Sequence, residues 1–363
     1  MNRLLKLRAQ LSRDVPAKDA DDHVLIATWN IRDFGKDEKQ RKGFGPRLPE
    51  THFYIAEIIS RFDFVAVQEV NQLTEWERVI DILGPDWNYI ATDVADAMLG
   101  GNGERLTYVY DRRKVRFQNI AGEVVLPPSM LISKATVKFE KKKAVSGAQF
   151  RRTPFVASFQ AGWFKFDICT VHIYYGSESG NELEERIEEI DRVAEYLSKR
   201  ADIRMQSENR SLILLGDFNI VSPEHKTMGA LLRHGFHVPE TLRNKTNIGG
   251  TKYYDQIAFK IERGVLDYVD NVVENPRDRF AGVFRFFESV LVEEDEAHYV
   301  EAMNASSACR GKKYRKNQNP SGHIDYPKYY KDWRTYQLSD HCPLWVRLKV
   351  NGADDYLRKM RST

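Results

Sequence analysis

The stretch "QLSDHCPLWVRL", residues 337–348, ends in a run from Pro343 to Leu348 that alternates as a buried strand does. It opens on Asp340 and His341 side by side. A polar loop accounts for that pair on its own, so its meaning depends on whether other strand ends carry matching chemistry.

They do. "VLIATWN" (24–30) ends on Asn30, "FVAVQE" (64–69) on Gln68 and Glu69, "DICTVH" (167–172) on His172, and "LILLGDFN" (212–219) on Asp217 and Asn219. In each, an apolar run passes directly into amide, carboxylate or imidazole side chains, which is how open α/β folds build a crevice at strand ends. Each residue also has an ordinary reading. His172 alone reads as a satisfied core histidine, Glu69 as a cap for a helix beginning near Leu73, and Asp217 as an Asx-turn. The recurrence of these residue types at five or six strand ends outweighs the separate readings.

Further strand-like runs are "LTYVY" (106–110), the rest of "FKFDICTVHI" (164–173) and "YDQIAF" (254–259). Helical patterns lie between several of them. Leu73, Trp76, Ile80 and Leu83 recur at helical spacing ahead of Gly84, a C-terminal stop. Leu183, Ile187, Ile190, Ala194 and Leu197 form one face of a second helix, whose acidic start and basic end suit the helix dipole. Alternating strands and helices predict an α/β domain with helix-covered sheets. Two segments break the alternation: a basic connector over 138–152, read as a hairpin tip or loop, and a long interruption over about 262–336. The interruption holds a helical-looking piece (285–303), the basic "RGKKYRKNQNPSGH" (310–323) and the aromatic "YPKYYKDW" (326–333). The basic piece reads either as a solvated loop or as an insertion that touches substrate.

The chain has 363 residues, 42% hydrophobic and 29% charged, with a net charge of only +3, so attraction to nucleic acid must come from local clusters. Residues 1–15 carry Lys and Arg without a following apolar run of signal-peptide length, and no run approaches the roughly 18 apolar residues of a membrane span. Cys169, Cys309 and Cys342 are an odd number without CxxC spacing, which argues against a disulfide framework and a structural zinc site. The expectation is one cytoplasmic domain without a membrane span or an organic cofactor.

The chemistry open to the strand-end residues is narrow. Glu69, Asp340 and the amide of Asn30 offer oxygen ligands to a hard cation such as Mg²⁺ or Mn²⁺. The chain has no HExxH, no GxxxxGK[ST] and no GxSxG, which removes catalytic zinc, P-loop and serine-hydrolase readings. The histidines then serve proton transfer or charge stabilisation, each held by a carboxylate.

The order "WNIRDFG", "VQEVNQ", "GERLTYVY", "TVHI", "LLGDFN", "YDQIAF" and "LSDHCPLW" resembles the endonuclease/exonuclease/phosphatase superfamily, with the greatest likeness to its deoxyribonuclease I-like branch. The likeness covers about residues 22–349. It implies a four-layer α/β (α+β) sandwich of two mixed β-sheets flanked by helices, here with a long, partly helical insertion before the last strand. It implies that Glu69, helped by Asn30 and Asp340, holds Mg²⁺ or Mn²⁺. It implies that Asp217 orients or deprotonates the attacking water and that Asn219 holds it or a phosphate oxygen. His341 is expected to pair with Asp255, and His172 with Glu104. Arg32 and Arg152 are implied phosphate contacts, a task suited to the planar guanidinium.

Asn71 stands where the deoxyribonuclease branch has a minor-groove arginine, and Asn102 where it has a tyrosine that packs on the sugar, so both are candidate substrate contacts. The branch's disulfides are missing and the 262–336 interruption is far longer. These departures point to an intracellular enzyme whose insertion supplies its own contacts. The expected function is divalent-metal-dependent hydrolysis of DNA phosphodiester bonds, as an endonuclease. The alternative within the superfamily is a phosphatase or phosphodiesterase acting on phosphoinositides, sphingomyelin-like lipids or small nucleotides. A catalytically dead binding module predicts a replaced core position, and none is replaced.

Overall fold

The central strands are buried on both faces, which is why their apolar residues run consecutively instead of alternating. A computed structural model describes residues 2–19, 21–37, 39–94, 103–132, 148–261, 266–309 and 326–351. The first sheet begins with β1 (His23–Phe34), β2 (Phe64–Val70), β3 (Trp87–Ala91) and β4 (Arg105–Asp111). The second comprises β5 (Arg116–Glu123), β6 (Phe155–Ala161), β7 (Phe164–His172), β8 (Ser211–Asp217) and β9 (Asp255–Lys260). The chain then returns to the first sheet with β10 (Ala281–Val283) and β11 (Leu344–Lys349). Strand orders are β10-β11-β1-β2-β4-β3 and β5-β6-β7-β8-β9. Each sheet has one parallel pair, β1/β2 and β7/β8, flanked by antiparallel neighbours. The expected pair of mixed sheets is therefore present.

Along β1, Val24 and Ile26 enter the core shared with the second sheet, whereas Leu25, Ala27 and Trp29 face the helices. Those helices are α1 (Asn2–Asp14), α2 (Pro49–Ser60) and α3 (Leu73–Leu83). On the second sheet lie α4 (Gly180–Glu208) and α5 (Lys226–Leu232), through residues such as Ile190, Val193, Leu197 and Leu231. The two sheets are also tied by polar groups. The Tyr108 hydroxyl, fully buried, donates to carbonyls of the second sheet and accepts the Thr170 N–H at 2.8 Å, and Gln68 donates to Thr170 at 2.9 Å. Among the described residues, no helix is long and apolar enough to cross a membrane.

The long interruption differs from its expected form. Only Val300–Ala305 (α6) is α-helical within 285–303; Phe286–Glu288 and Glu293–Tyr299 form 3₁₀ turns. Leu291, at φ +50°, takes a left-handed conformation that a continuous helix cannot hold. The interruption is also built into the core. It contributes β10 to the first sheet and α7 (Tyr326–Gln337), which buries Tyr329, Tyr330, Trp333 and Tyr336. Phe44 stacks on Tyr336 with centroids 4.4 Å apart, locking α7 against the loop after β1. Residues 310–323 of the insertion and most of the basic connector lie outside the described residues, although its flanks Ile132 and Ala148 form an antiparallel bridge.

Candidate active site

The topology gathers the polar strand ends at one rim. Because β1 and β2 are parallel, Asn30 and Glu69 finish side by side. Because β7 and β8 are parallel, His172 and Asp217 are register partners. Strands antiparallel to these begin where the others end. Asp255 starts β9 opposite Asp217, Glu104 precedes β4, and His341 precedes β11. Four residues at this rim, Arg32, Asp33, Glu69 and Asn219, are non-glycine with φ between +43° and +66°. Such concentrated backbone strain is typical of functional sites.

Two carboxylate–imidazole pairs converge on Asp217. His341 Nδ1 lies 2.8 Å from Asp255 Oδ2, which turns Nε2 toward Asp217 Oδ2 at 3.9 Å. His172 Nδ1 lies 2.7 Å from Glu104 Oε1, leaving Nε2 at 3.5 Å from Asp217 Oδ2 and 3.7 Å from Glu69 Oε1. The Arg152 Nε, at 2.6 Å from Glu104, closes a buried triad. The Glu104 contacts are close but poorly aligned, so they act as ion pairs more than as hydrogen bonds. Asp217 Oδ1 accepts the Asn219 N–H at 2.9 Å, so its Asx-turn and its place in the site coexist.

Burial would lower both imidazoles, yet their carboxylate partners more than offset it. His172 is raised, with Arg152 opposing and Glu104 prevailing, and His341 is raised well above its ordinary value by Asp255 and Asp217. Burial raises Asp217 despite the two imidazoles. Glu69 is also pushed up by burial, but His172 and hydrogen bonds from Asn30 and the Asp33 N–H bring it to a net lowering. Two neighbouring acids are thereby driven apart, the arrangement that separates proton-accepting from ligating carboxylates.

The inner residues fit a hard divalent cation. Glu69, Glu104 and His172 form one group of close-set donors, and Asp217, Asp255 and His341 another. Four carboxylates face two imidazoles and one guanidinium, so negative charge is in excess, and Asp255 Oδ1 is buried without a partner.

Two expected ligands sit differently. Asn30 presents its nitrogen, not its oxygen, to the carboxylates: Nδ2 donates to Glu69 at 2.9 Å and Asp217 at 3.2 Å, while Oδ1 accepts the Arg32 N–H at 2.9 Å. Asp340 is turned outward to Arg32 at 3.2 Å, with its side chain 42% exposed, and joins neither donor group. Arg32, brought within reach by the left-handed irregularity near the end of β1, captures it. Arg32 also stacks over Tyr336 at 3.8 Å. Arg152 faces inward onto Glu104 and not outward as a free phosphate contact, because its side chain is only 10% exposed. Asn71 donates to the Glu69 carbonyl at 2.9 Å, which steadies the strained turn. Asn219 uses Nδ2 on the Ile173 carbonyl at 2.7 Å. Asn102 lies outside the described residues. The Glu69 side chain does not cap α3; Gln72 stands at that position, without a side-chain cap.

Several supporting residues were not read from the sequence. Ser339 accepts the His341 N–H at 2.9 Å and donates to the Asn30 carbonyl at 2.5 Å, coupling two site residues. Tyr254 stacks on His341 with centroids 5.5 Å apart. Glu189 of α4 is buried and accepts N–H groups from Arg151 at 3.1 Å and Tyr174 at 3.4 Å, pinning the two loops beside His172. No short motif marks these positions; on α4, Glu189 shares its buried face with Glu185 and Arg186 as well as with apolar residues.

Burial pushes the Glu189 carboxyl up to about 7 from an ordinary 4.5. An acid raised on folding stabilises most below its unfolded value, and that contribution is lost as pH rises from about 4.5 toward 7. Urea titrations are therefore expected to show Glu189→Gln removing a decline on the order of 3 kcal/mol between pH 5 and 8. Identical pH profiles for the two proteins would contradict this.

No family model matches the chain. A deoxyribonuclease from Thioalkalivibrio sp. (strain K90mix) is similar at 29% identity over 216 residues, covering 58% of this chain and 49% of that protein. The chain thus spans about half the length of the curated relative it matches. Similar solved structures include an endonuclease/exonuclease/phosphatase family protein from Bacteroides thetaiotaomicron (TM-score 0.49, 16% identity, 91% of this chain and 95% of that one). A mannosyl-6-phosphatase from the same organism gives a TM-score of 0.48 at 17% identity, covering 89% of this chain and 98% of that one. The human Nocturnin catalytic domain gives 0.48 at 12% identity, covering 90% and 93%. The deoxyribonuclease similarity bears out the resemblance carried by the motif order.

Proposed function

We propose that this chain is a divalent-metal-dependent phosphodiesterase of the endonuclease/exonuclease/phosphatase superfamily that hydrolyses DNA, as an endonuclease. The observation that carries the reading is the convergence of both imidazole Nε2 atoms on Asp217 Oδ2, each imidazole backed by its own carboxylate. Asp217, raised by burial, is suited to take a proton from water at Oδ2. Asn219 fixes the Asp217 carboxylate through its backbone N–H and offers its amide oxygen to that water. His172 and His341, both raised, hold positive charge against the phosphoryl oxygens and supply a proton to the leaving oxygen from Nε2.

Glu69 is the ligand nearest readiness for Mg²⁺ or Mn²⁺. Asn30 joins it once its amide turns over, and Asp340 once it leaves Arg32. The ion would neutralise charge on the phosphoryl group. Arg32, freed from Asp340, then faces the phosphodiester backbone, whereas Arg152 acts through Glu104 as a positioning residue.

A comparison of substrate classes tests the reading. Plasmid DNA is expected to be nicked with Mg²⁺ above the Glu69→Ala background. Soluble phosphomonoesters and lipid headgroups are expected to be turned over at least tenfold more slowly. Turnover of a headgroup or a small nucleotide without nicking would move the site to the superfamily's other substrates.

A further inference from the structure

Beside the catalytic rim, a cavity of about 450 Å³ lies between the loop after β1, the first turns of α2 and the length of α3. Among the described residues, two of its arginines have no charged acceptor in hydrogen-bond or ion-pair range. Arg41, only 1% exposed, donates to the carbonyls of Gly45 and Tyr336. Arg47 donates to those of Ile31, Arg32, Gln337 and Leu338. All six acceptors are neutral, and the Nε of each guanidinium is buried without a partner. Burial holds Arg41 down at about 10 and Arg47 well below its ordinary value, with Arg41 repelling Arg47.

The acids on the same wall are already engaged. Glu75 faces Arg78 at 3.1 Å and His52 at 3.2 Å, and Asp37 accepts the Gln40 N–H at 2.9 Å. Lys36 adds a further cation, paired with Asp33. Helices α2 and α3, of 12 and 11 residues, both begin here without a side-chain cap, so their positive ends add to the same field. Asp33 offsets part of the burial at both guanidiniums, and an anion in the cavity would offset more.

We propose that this cavity binds a phosphate group of the substrate strand adjacent to the phosphate that is cleaved. The inference rests on the nuclease reading for the source of the phosphate, and on the cavity's own residues for its chemistry. Its position fits: the Asp33 N–H, three residues before Lys36, donates to Glu69 Oε2 at 2.6 Å, so cavity and rim share one turn. Each guanidinium keeps its Nε free of the carbonyls, and a guanidinium N–H suits a phosphate oxygen.

The test has two arms. In the first, inorganic phosphate is titrated calorimetrically into EDTA-treated protein. The Lys36→Ala/Arg78→Ala variant, which leaves the buried arginines in place, and Arg47→Met are each expected to weaken binding about tenfold. His341→Ala is expected to leave it within about twofold. Binding that survives the cavity variants and is lost in His341→Ala would overturn the site. In the second, oligonucleotides carry one uncharged methylphosphonate at successive positions. One neutral linkage beside the cut is expected to raise the wild-type KM about tenfold with kcat unchanged, and to add nothing in the Lys36→Ala/Arg78→Ala variant. Phosphate binding with no position sensitive to neutralisation would make the ligand a free phosphate and overturn the strand as its source. A wild type that cleaves no oligonucleotide would overturn the nuclease reading and the strand with it, while the first arm still reports on the anion site.

Discussion

His341→Ala is expected to lower turnover by about 10²–10⁴-fold, the range for losing a positioned acid or base. The substitution removes one of the two Nε2 groups that face Asp217 and strips Asp255 of its charge partner among the described residues. Asp255 is fully buried, and its other oxygen already lacks a partner, so an uncompensated carboxylate remains in the core. Breaking a buried pair from one side costs about 3–5 kcal/mol. Activity and stability should therefore fall together, and Asp255→Asn with His341 retained should recover part of the stability while leaving turnover low. The pH dependence follows from the raised imidazole. Its contribution is complete below the unfolded histidine value of about 6.5 and is lost only as pH climbs through the higher folded value. The stability gap between wild type and His341→Ala should accordingly persist through pH 7 and narrow in alkaline buffer. A variant that loses less than threefold in kcat/KM would remove His341 from the chemistry.

Gly216→Ala is expected to be as damaging for a steric reason. Gly216 has φ +131° and lies in register with Val171 across the parallel β7/β8 pair. A Cβ there would sit 2.1 Å from the Val171 carbonyl oxygen and 2.8 Å from its nitrogen. Backbone cannot yield as a flexible side chain can, so the strands must separate at the step next to His172 and Asp217. Strain and overpacking together are expected to cost roughly 2–6 kcal/mol. Denaturant titration reads the cost, and a midpoint equal to that of wild type would contradict it. Whatever folded protein remains should be poorly active, because His172 and Asp217 no longer meet at 3.5 Å.

The sequence was most legible where burial is two-sided. "VLIATW" and "LILLG" are unbroken apolar runs because both faces of β1 and β8 are covered. β5 is hard to read because it is an exposed edge strand with a register shift, and only Phe117 reaches the core, against Phe159. Helix α1 was readable in principle, since Leu4, Leu7 and Leu11 recur at helical spacing. The aromatic segment near 326–337 hid a helix for a related reason. Tyr329, Tyr330, Trp333 and Tyr336 lie on one helical face, but Lys331 and Asp332 interrupt them and blur the period.

The site shows the same division. The pairings of His172 with Glu104 and His341 with Asp255 were implied by the family resemblance, and the structure places both pairs in contact. The orientation of Asn30 and the capture of Asp340 by Arg32 could not follow, because side-chain direction depends on neighbours brought together only by folding. Ser339 was silent for that reason as well.

The most direct measurement is a supercoiled-plasmid assay in EDTA, Mg²⁺ and Mn²⁺, with wild type beside an Asp217→Ala/His341→Ala double variant. Nicking is expected from the wild type alone, and only with metal. Intact plasmid in every lane, or nicking that survives in the double variant, would contradict it.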